Sequence, residues 1–374
     1  MPTPILTSPL PDLLTHTDGT PVTKESWSAR REELVAILAE NIYGEMPPPC
    51  PVQWVVSESE MTCAGFVRHD TVKLILHTPR GLFTFPIQVF VPTEAENPPC
   101  FLLLNFRDAL PDRYFPIEEI CNSGFAAAMV CYEDVTRDNG DFSDGIAPFL
   151  LDLPRTEATA GKITLWAYAA SRVMDYLITR TDIDTAKVSL IGHSRLGKTA
   201  LWAGANDDRF FCAINNMGGC AGAAVERFRN EGAETASRIA RVFPFWFCEK
   251  YAYWANHVDE MPFDQHFLAA ANIRADTPRR IYNCDAVLDR WANPAAEYLS
   301  VCEAARVFAL LGEAQPFGGV EDTRIGVPEL FIAENAEPFH VFGSRLGYHL
   351  RRGNHFLSRR DWVMYMTFLS GEKG

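Results

Sequence analysis

Ser194 stands in Val188-Ser189-Leu190-Ile191-Gly192-His193-Ser194-Arg195-Leu196-Gly197-Lys198, where an apolar run ends at Gly-x-Ser-x-x-Gly. A serine hydroxyl is a weak nucleophile until a base removes its proton, so acyl chemistry at Ser194 requires a histidine and a carboxylate that orients it. Three of the nine histidines, His340, His349 and His355, fall late in the chain. His355 sits in the polar, glycine-containing Gly353-Asn354-His355-Phe356, a loop from which a mobile base can reach a serine. His349, between Tyr348 and Leu350, reads as a strand residue whose ring is satisfied. Two aspartates, Asp285 and Asp289, follow a strand-like run at Arg280–Asn283. On residue type and position they are equal candidates for the acid. Arg195 directly follows the serine, which places its backbone N–H for a developing oxyanion. A surface arginine paired with an acid does not explain a charge beside this turn. Lys198 lies at i+4 from Ser194 and faces the same mouth.

These residues need a scaffold that lifts a serine above a sheet. Gly-x-Ser alone also suits a helix N-cap, and Leu196 fills the second glycine position of the commoner Gly-x-Ser-x-Gly. The buried strand before Ser194 and the helical Ala200-Leu201-Trp202 after it favour the nucleophile turn of an α/β-hydrolase. Further strands are expected at Val72–Leu76, Phe83–Val91, Phe101–Leu104 and Phe125–Val130; the unbroken apolar runs among them suit strands covered on both faces. Trp166, Ala169, Val173 and Tyr176 fall at helical spacing between strands. This order predicts an α/β-hydrolase fold, a mostly parallel central sheet with helices on both faces. Residues 1–59, with one helix around Arg30–Leu38, are expected to be an extension packed on a catalytic domain of residues 60–374.

Composition limits what the chain can do. Its 374 residues are 47% hydrophobic, enough for a large core, which excludes a disordered or fibrous protein. A net charge of −14 argues against nucleic acid or an anionic membrane surface as partner. The 12% aromatic content, with 8 Trp, suits either a sugar-lined cleft or simply a large core. Ten cysteines form no CxxC and do not cluster with histidines, so no zinc or iron–sulfur metal site is expected. No stretch approaches the roughly 18 apolar residues of a membrane span. Met1-Pro2-Thr3-Pro4 lacks a signal-peptide pattern, which with the dispersed cysteines predicts a cytoplasmic protein.

Gly192-His193-Ser194-Arg195-Leu196-Gly197-Lys198 resembles the glucuronoyl esterases, carbohydrate esterase family fifteen, in their bacterial branch. The resemblance continues through Arg30-Arg31, Tyr43-Gly44-Glu45-Met46-Pro47, the run Gly218 to Ala224, Phe243 to Phe247, Asp264-Gln265-His266, Asp289 to Pro294 and Gly353-Asn354-His355. It covers most of the chain in order. Members of the family cleave, without a cofactor, the ester between 4-O-methyl-glucuronic acid on xylan and a lignin alcohol. The resemblance implies Ser194 as nucleophile, His355 as base and Asp289, in Asp-x-Trp-x-x-Pro, as acid. Met217 stands at the family's other acid position, usually glutamate, and cannot serve. It further implies that the Arg195 guanidinium assists the oxyanion and that Lys198 bonds sugar hydroxyls. Trp291 would lie against the sugar ring and Glu234 would bind a hydroxyl, while Val242 replaces a family glutamate nearby. The expected activity is hydrolysis of glucuronate esters, on xylan fragments or on small esters. The alternatives are an acetyl-xylan or other small-ester esterase, disfavoured by Lys198 and Trp291, and a non-catalytic module, disfavoured by the presence of both Ser194 and His355.

Overall fold

The computed structural model describes residues 5–317 and 338–371. Twelve strands occur among them: β1 Ile5–Leu6, β2 Val52–Thr62, β3 Val67–Thr78, β4 Gly81–Pro92, β5 Pro99–Asn105 and β6 Ala126–Cys131. The rest are β7 Asp184–His193, β8 Cys212–Asn216, β9 Phe228–Arg229, β10 Arg280–Ala286, β11 Phe339–Phe342 and β12 Leu346–Arg351. Ten of them form one sheet in the order β11-β12-β10-β8-β7-β5-β6-β4-β3-β2. From β12 to β6 every neighbour is parallel; the β2-β3-β4 meander and β11 add antiparallel edges. The fold is the expected α/β-hydrolase sheet with helices around it.

Central strands are apolar along their whole length because both faces are covered. Phe101, Leu103 and Ile191 enter one core, beneath Trp362, Tyr365 and Phe368 of the helix Arg359–Ser370. Their neighbours Leu102, Leu104 and Leu190 enter the other, with Leu165 and Val173 of the helix Lys162–Leu177 and Trp202 of the helix Arg195–Asn206. One-residue alternation along each strand thus feeds two separate cores.

The expected boundary at residue 60 falls inside β2, which pairs with β3 from Val52↔Leu76 to Thr62↔Val67 and is an edge of the main sheet. Its sequence gives no such signal, since almost every β2 side chain is exposed and none of the period-2 burial that marks a strand is present. The segment before it is anchored to the rest of the chain. In the helix Trp27–Leu38 the buried Arg30 donates to the carbonyls of Leu13 and Asp12. Arg31 donates to the Ala271 carbonyl at 3.0 Å. The Tyr43 ring stacks on Trp202 at 4.7 Å and its hydroxyl donates to the Ala221 carbonyl at 3.0 Å. All ten cysteines are thiols and nine are buried. No helix among the described residues is long and apolar enough to cross a membrane.

Candidate active site

Strand β7 delivers Ser194 to a turn with φ 58° and ψ −126°, a conformation L-residues adopt only under constraint. Two glycines supply that constraint. A Cβ on Gly192 would sit 1.9 Å from the Leu196 carbonyl oxygen, and one on Gly197 would sit 2.4 Å from Asn215 Oδ1. The close approaches occur at 192 and 197, so Leu196 is free to point into the core. The Ser194 N–H donates to the Asn216 carbonyl at 2.8 Å, and the Ser194 carbonyl accepts from Gly197 and Lys198. The N–H groups of Arg195 and Leu196, at the start of the helix, have no intrahelical acceptor and are placed for an anion.

His355 lies on the loop between β12 and the helix Arg359–Ser370, with its side chain 36% exposed. Its Nδ1 is 2.5 Å from Oδ2 of Asp289, whose own side chain is 2% exposed. Asp289 Oδ1 accepts the Ala292 N–H at 3.2 Å, fixing the carboxylate in the turn after β10. An aspartate oxygen at Nδ1 is an acceptor for an N–H on that nitrogen, the arrangement that leaves Nε2 as an acceptor. Asp285 is elsewhere: fully buried within β10, it accepts from the Tyr348 hydroxyl at 3.1 Å. Burial, with Glu297 and Asp289 nearby, pushes its carboxyl well above the usual range.

Ser194, Arg195, Lys198, Met217, Glu234, Trp291 and His355 line one cavity of about 240 Å³. Larger clefts exist, including one of about 720 Å³ beside Arg31 and Tyr168, but its lining holds neither the serine nor the histidine. Trp291 is 42% exposed, a wall residue with the Arg238 guanidinium 4.8 Å over its ring. The Glu234 N–H donates to the Trp291 carbonyl at 3.0 Å. Burial raises the Glu234 carboxyl while Lys198 and Arg238 draw it down. Lys198 is buried, and its Nζ donates to the Gly218 carbonyl and, at 2.6 Å, to that of Cys220. The lysine expected to serve sugar hydroxyls therefore also ties down the glycine-rich run. Val242 is exposed at the same rim.

Arg195 has the acid partner that its position in the sequence did not suggest. It forms an ion pair with Asp138 and lies 4.7 Å over the Trp246 ring. Asp138 also accepts from Trp246 Nε1 at 2.6 Å and from the Tyr132 hydroxyl at 3.3 Å. Trp246 stacks face to face on Phe243 at 3.9 Å. Asp138 and Arg238 carry no local motif, and only their long-range contacts reveal them. The aromatic cluster was visible as Phe243 to Phe247, without an indication of which rings reach the cavity.

Below the turn, the His193 ring packs on His355 at 4.4 Å, and its Nδ1 lies 2.6 Å from Asn216 Oδ1. Burial, then the neighbouring His355, pulls the His193 pKa down to about 3, so it is neutral. The cluster of Cys284, His349 and Asp361 has the composition of a metal site. Its valences are filled: His349 bonds the Tyr282 hydroxyl at 2.8 Å and Asp361 at 3.0 Å, and Arg351 already supplies the cation, 2.7 Å from Asp361. His349 is thus the satisfied strand residue its sequence context suggested.

A family model described as "Glucuronyl esterase, fungi" matches residues 80–312. Carbohydrate esterase MZ0003, from an unknown prokaryotic organism, is 31% identical over 96% of this chain and 88% of its own length. The 4-O-methyl-glucuronoyl methylesterase 1 of Wolfiporia cocos is 27% identical over 83% of this chain and 74% of its own. Among solved structures, a promiscuous CE15 esterase from a marine bacterial metagenome superposes with a TM-score of 0.84 at 29% identity, covering 99% of this chain and 98% of the other. The glucuronoyl esterase from Solibacter usitatus gives the same score and identity, covering 99% of each chain. The cytoplasmic expectation is corrected by these relatives, which are named as a carbohydrate esterase and a 4-O-methyl-glucuronoyl methylesterase. The thiols behind that expectation are packing residues, and buried sulfur fills a core equally well in either compartment. With a model match across most of the chain and a relative similar along nearly all of it, the protein belongs to the glucuronoyl esterase family, carbohydrate esterase family fifteen.

Proposed function

We propose that this esterase hydrolyses esters of glucuronic acid through an acyl-enzyme on Ser194, with His355 as base, Asp289 as its orienting acid and Arg195 at the oxyanion. The observation that carries this reading is the 2.5 Å contact between His355 and Asp289 at the rim of the cavity that also holds Ser194. Ser194 Oγ attacks the ester carbonyl carbon as its proton passes to His355 Nε2. The carbonyl oxygen, now anionic, meets the Arg195 N–H and the nearby guanidinium; by analogy with other oxyanion donors such a contact contributes about 3 kcal/mol. Collapse breaks the bond to the leaving alcohol, which takes the proton from the imidazolium. Water then repeats the sequence, releasing the uronic acid and restoring Ser194.

Choice of the acyl group falls to the wall. Trp291 offers an exposed ring face, and Glu234 and Lys198 offer an acceptor and a donor, a set suited to a pyranose and superfluous for acetate. The test compares benzyl or methyl glucuronate with p-nitrophenyl acetate on the purified protein. A higher kcat/KM for the glucuronate ester, lost in Ser194→Ala, supports the assignment. Cleavage of acetylated xylan without cleavage of glucuronate esters would leave only the serine-hydrolase chemistry.

A further inference from the structure

The loop that carries His355 lies between β12 and the helix Arg359–Ser370 and is itself neither strand nor helix. Two backbone bonds join its start to the turn that carries Asp289. The Val287 N–H donates to the Arg351 carbonyl at 2.9 Å, and the Leu288 N–H donates to the Gly353 carbonyl at 3.0 Å. They prolong the parallel pairing of β10 with β12, which ends at Ala286↔Arg351. Past Gly353 the main chain meets a side chain instead. Arg351 Nη2 donates to the carbonyl of Asn354, at 3.4 Å, and to that of Phe356, the two residues that flank the histidine. Arg351 Nη1 donates to the Arg352 carbonyl at 3.1 Å. The loop is thus wound around one guanidinium, whose side chain is buried.

That guanidinium is fixed from its other side. Arg351 Nε donates to Asp361 Oδ1 at 2.7 Å, an oxygen that also lies 3.0 Å from His349 Nε2. Asp361 Oδ2 accepts the Ser358 N–H at 2.7 Å, closing the capping box of the helix Arg359–Ser370. A planar fork of five N–H donors can serve a carboxylate and several carbonyls together, which a compact ammonium cannot. Gly353 shows how closely the loop follows it. Its φ is 117°, and a Cβ there would lie 2.8 Å from Arg351 Nη1. Only glycine lets the chain turn over the guanidinium at this distance.

We propose that Arg351 is a positioning residue for the catalytic base: anchored on Asp361, it fixes the main chain on both sides of His355 and so sets where Nε2 stands relative to Ser194. The proposal rests on the reading of His355 as that base. Asp289 holds Nδ1 of the ring but not the backbone from which the half-exposed ring hangs. A misplacement of about 1 Å between reacting groups can cost about 10²-fold in rate. Arg351 does not line the cavity at Ser194, so the loss belongs to the chemical steps. Acylation and deacylation both draw on His355, so the two slow together and KM holds.

Steady-state hydrolysis of benzyl glucuronate by Arg351→Lys and by Gly353→Ala tests it, with melting temperatures measured alongside. The lysine keeps a charge beside Asp361 but cannot reach both flanking carbonyls; the alanine leaves the buried cluster intact and lifts the loop off the guanidinium. Each variant should lose about 100-fold in kcat, with KM within about twofold of normal. On a His355→Ala background, Arg351→Lys should lower the residual rate by less than about threefold, because a residue that acts through the histidine has nothing left to position. Losses that multiply in the double variant would make Arg351 a purely structural residue and overturn the proposal. So would a change confined to KM, or a kcat within about twofold of normal in whichever of the two single variants is folded. In all three cases an inactive His355→Ala leaves the base assignment standing. Full turnover by His355→Ala would instead remove that assignment and this proposal with it.

Discussion

The Asp289 carboxylate lies 2.5 Å from Nδ1 of His355 although the two residues are 66 positions apart. Asp285 points elsewhere and bonds Tyr348. Asp289→Asn should therefore lower kcat by about 10³–10⁴-fold, because an amide no longer fixes the imidazole tautomer. Asp285→Asn should keep most of the activity, since burial favours the neutral form of Asp285 and an amide resembles a neutral carboxyl. Steady-state kinetics on the two variants decide; the opposite order would transfer the acid role to Asp285.

Lys198→Ala is expected to do more than remove a sugar contact. Its Nζ serves two buried carbonyls, those of Gly218 and Cys220, and leaving both unpaired costs about 1–3 kcal/mol each. The melting temperature should fall and hydrolysis of both glucuronate and acetate esters should decline together. Trp291→Ala separates the substrates instead. It exposes no unpaired group of the wall, so it should reduce kcat/KM on the glucuronate ester by about tenfold, as expected for a lost ring contact, and spare p-nitrophenyl acetate. Equal losses in Trp291→Ala would count against a ring-binding role.

Two buried carboxyls set a pH dependence of stability. Glu226 and Glu297 are each pushed up to about 8 by burial, against an ordinary value of 4.5. Between those values the folded state holds protons that the unfolded chain has released, so stability falls as pH rises and levels off above about 8. Buried His193, lowered to about 3, acts in the opposite direction but only below 6.5. From pH 6.5 to 8 the melting temperature should therefore drop. In Glu226→Gln, whose amide nitrogen can take the unpartnered Oε2 position, the drop should shrink. An unchanged slope in that variant would show that Glu226 does not titrate there.

The turn at Ser194 was legible because its constraints are local: two glycines, a strand before and a helix after. The loop position of His355 was legible from its polar, glycine-containing stretch. The choice between Asp289 and Asp285 was not legible from the residues alone, only from the resemblance, because both follow the strand-like run Arg280–Asn283; in the structure Asp285 is still inside β10, and only Asp289 lies past its end, in the turn that meets the histidine. Strand β2 escaped detection since its exposed side chains carry no pattern and its order comes from the backbone ladder to β3. Asp138 and Glu226 escaped for a related reason. Each acts through partners far along the chain, at Arg195 and Trp246 for one and at Tyr251 and Gln265 for the other.

Asp138 holds Arg195 at the mouth of the cavity, and its replacement tests how much that placement matters. Arg195, Trp246 Nε1 and the Tyr132 hydroxyl all direct donors at this one carboxylate. In Asp138→Asn, an amide that keeps its oxygen toward Trp246 turns its NH₂ toward Arg195, setting donor against donor there, while the Tyr132 hydroxyl can rotate to accept. The guanidinium should move, with Trp246 and Phe243 left as its aromatic contacts. Complete loss of an oxyanion donor costs about 10²–10³ in kcat, so displacement of the side chain, with the backbone N–H still in place, should cost about 10–100-fold. KM should change little, because the contact strengthens only as charge develops on the carbonyl oxygen. Losses confined to KM would instead make Arg195 a ground-state binding group. A rise in kcat would mean that Asp138 restrains the arginine by neutralising it.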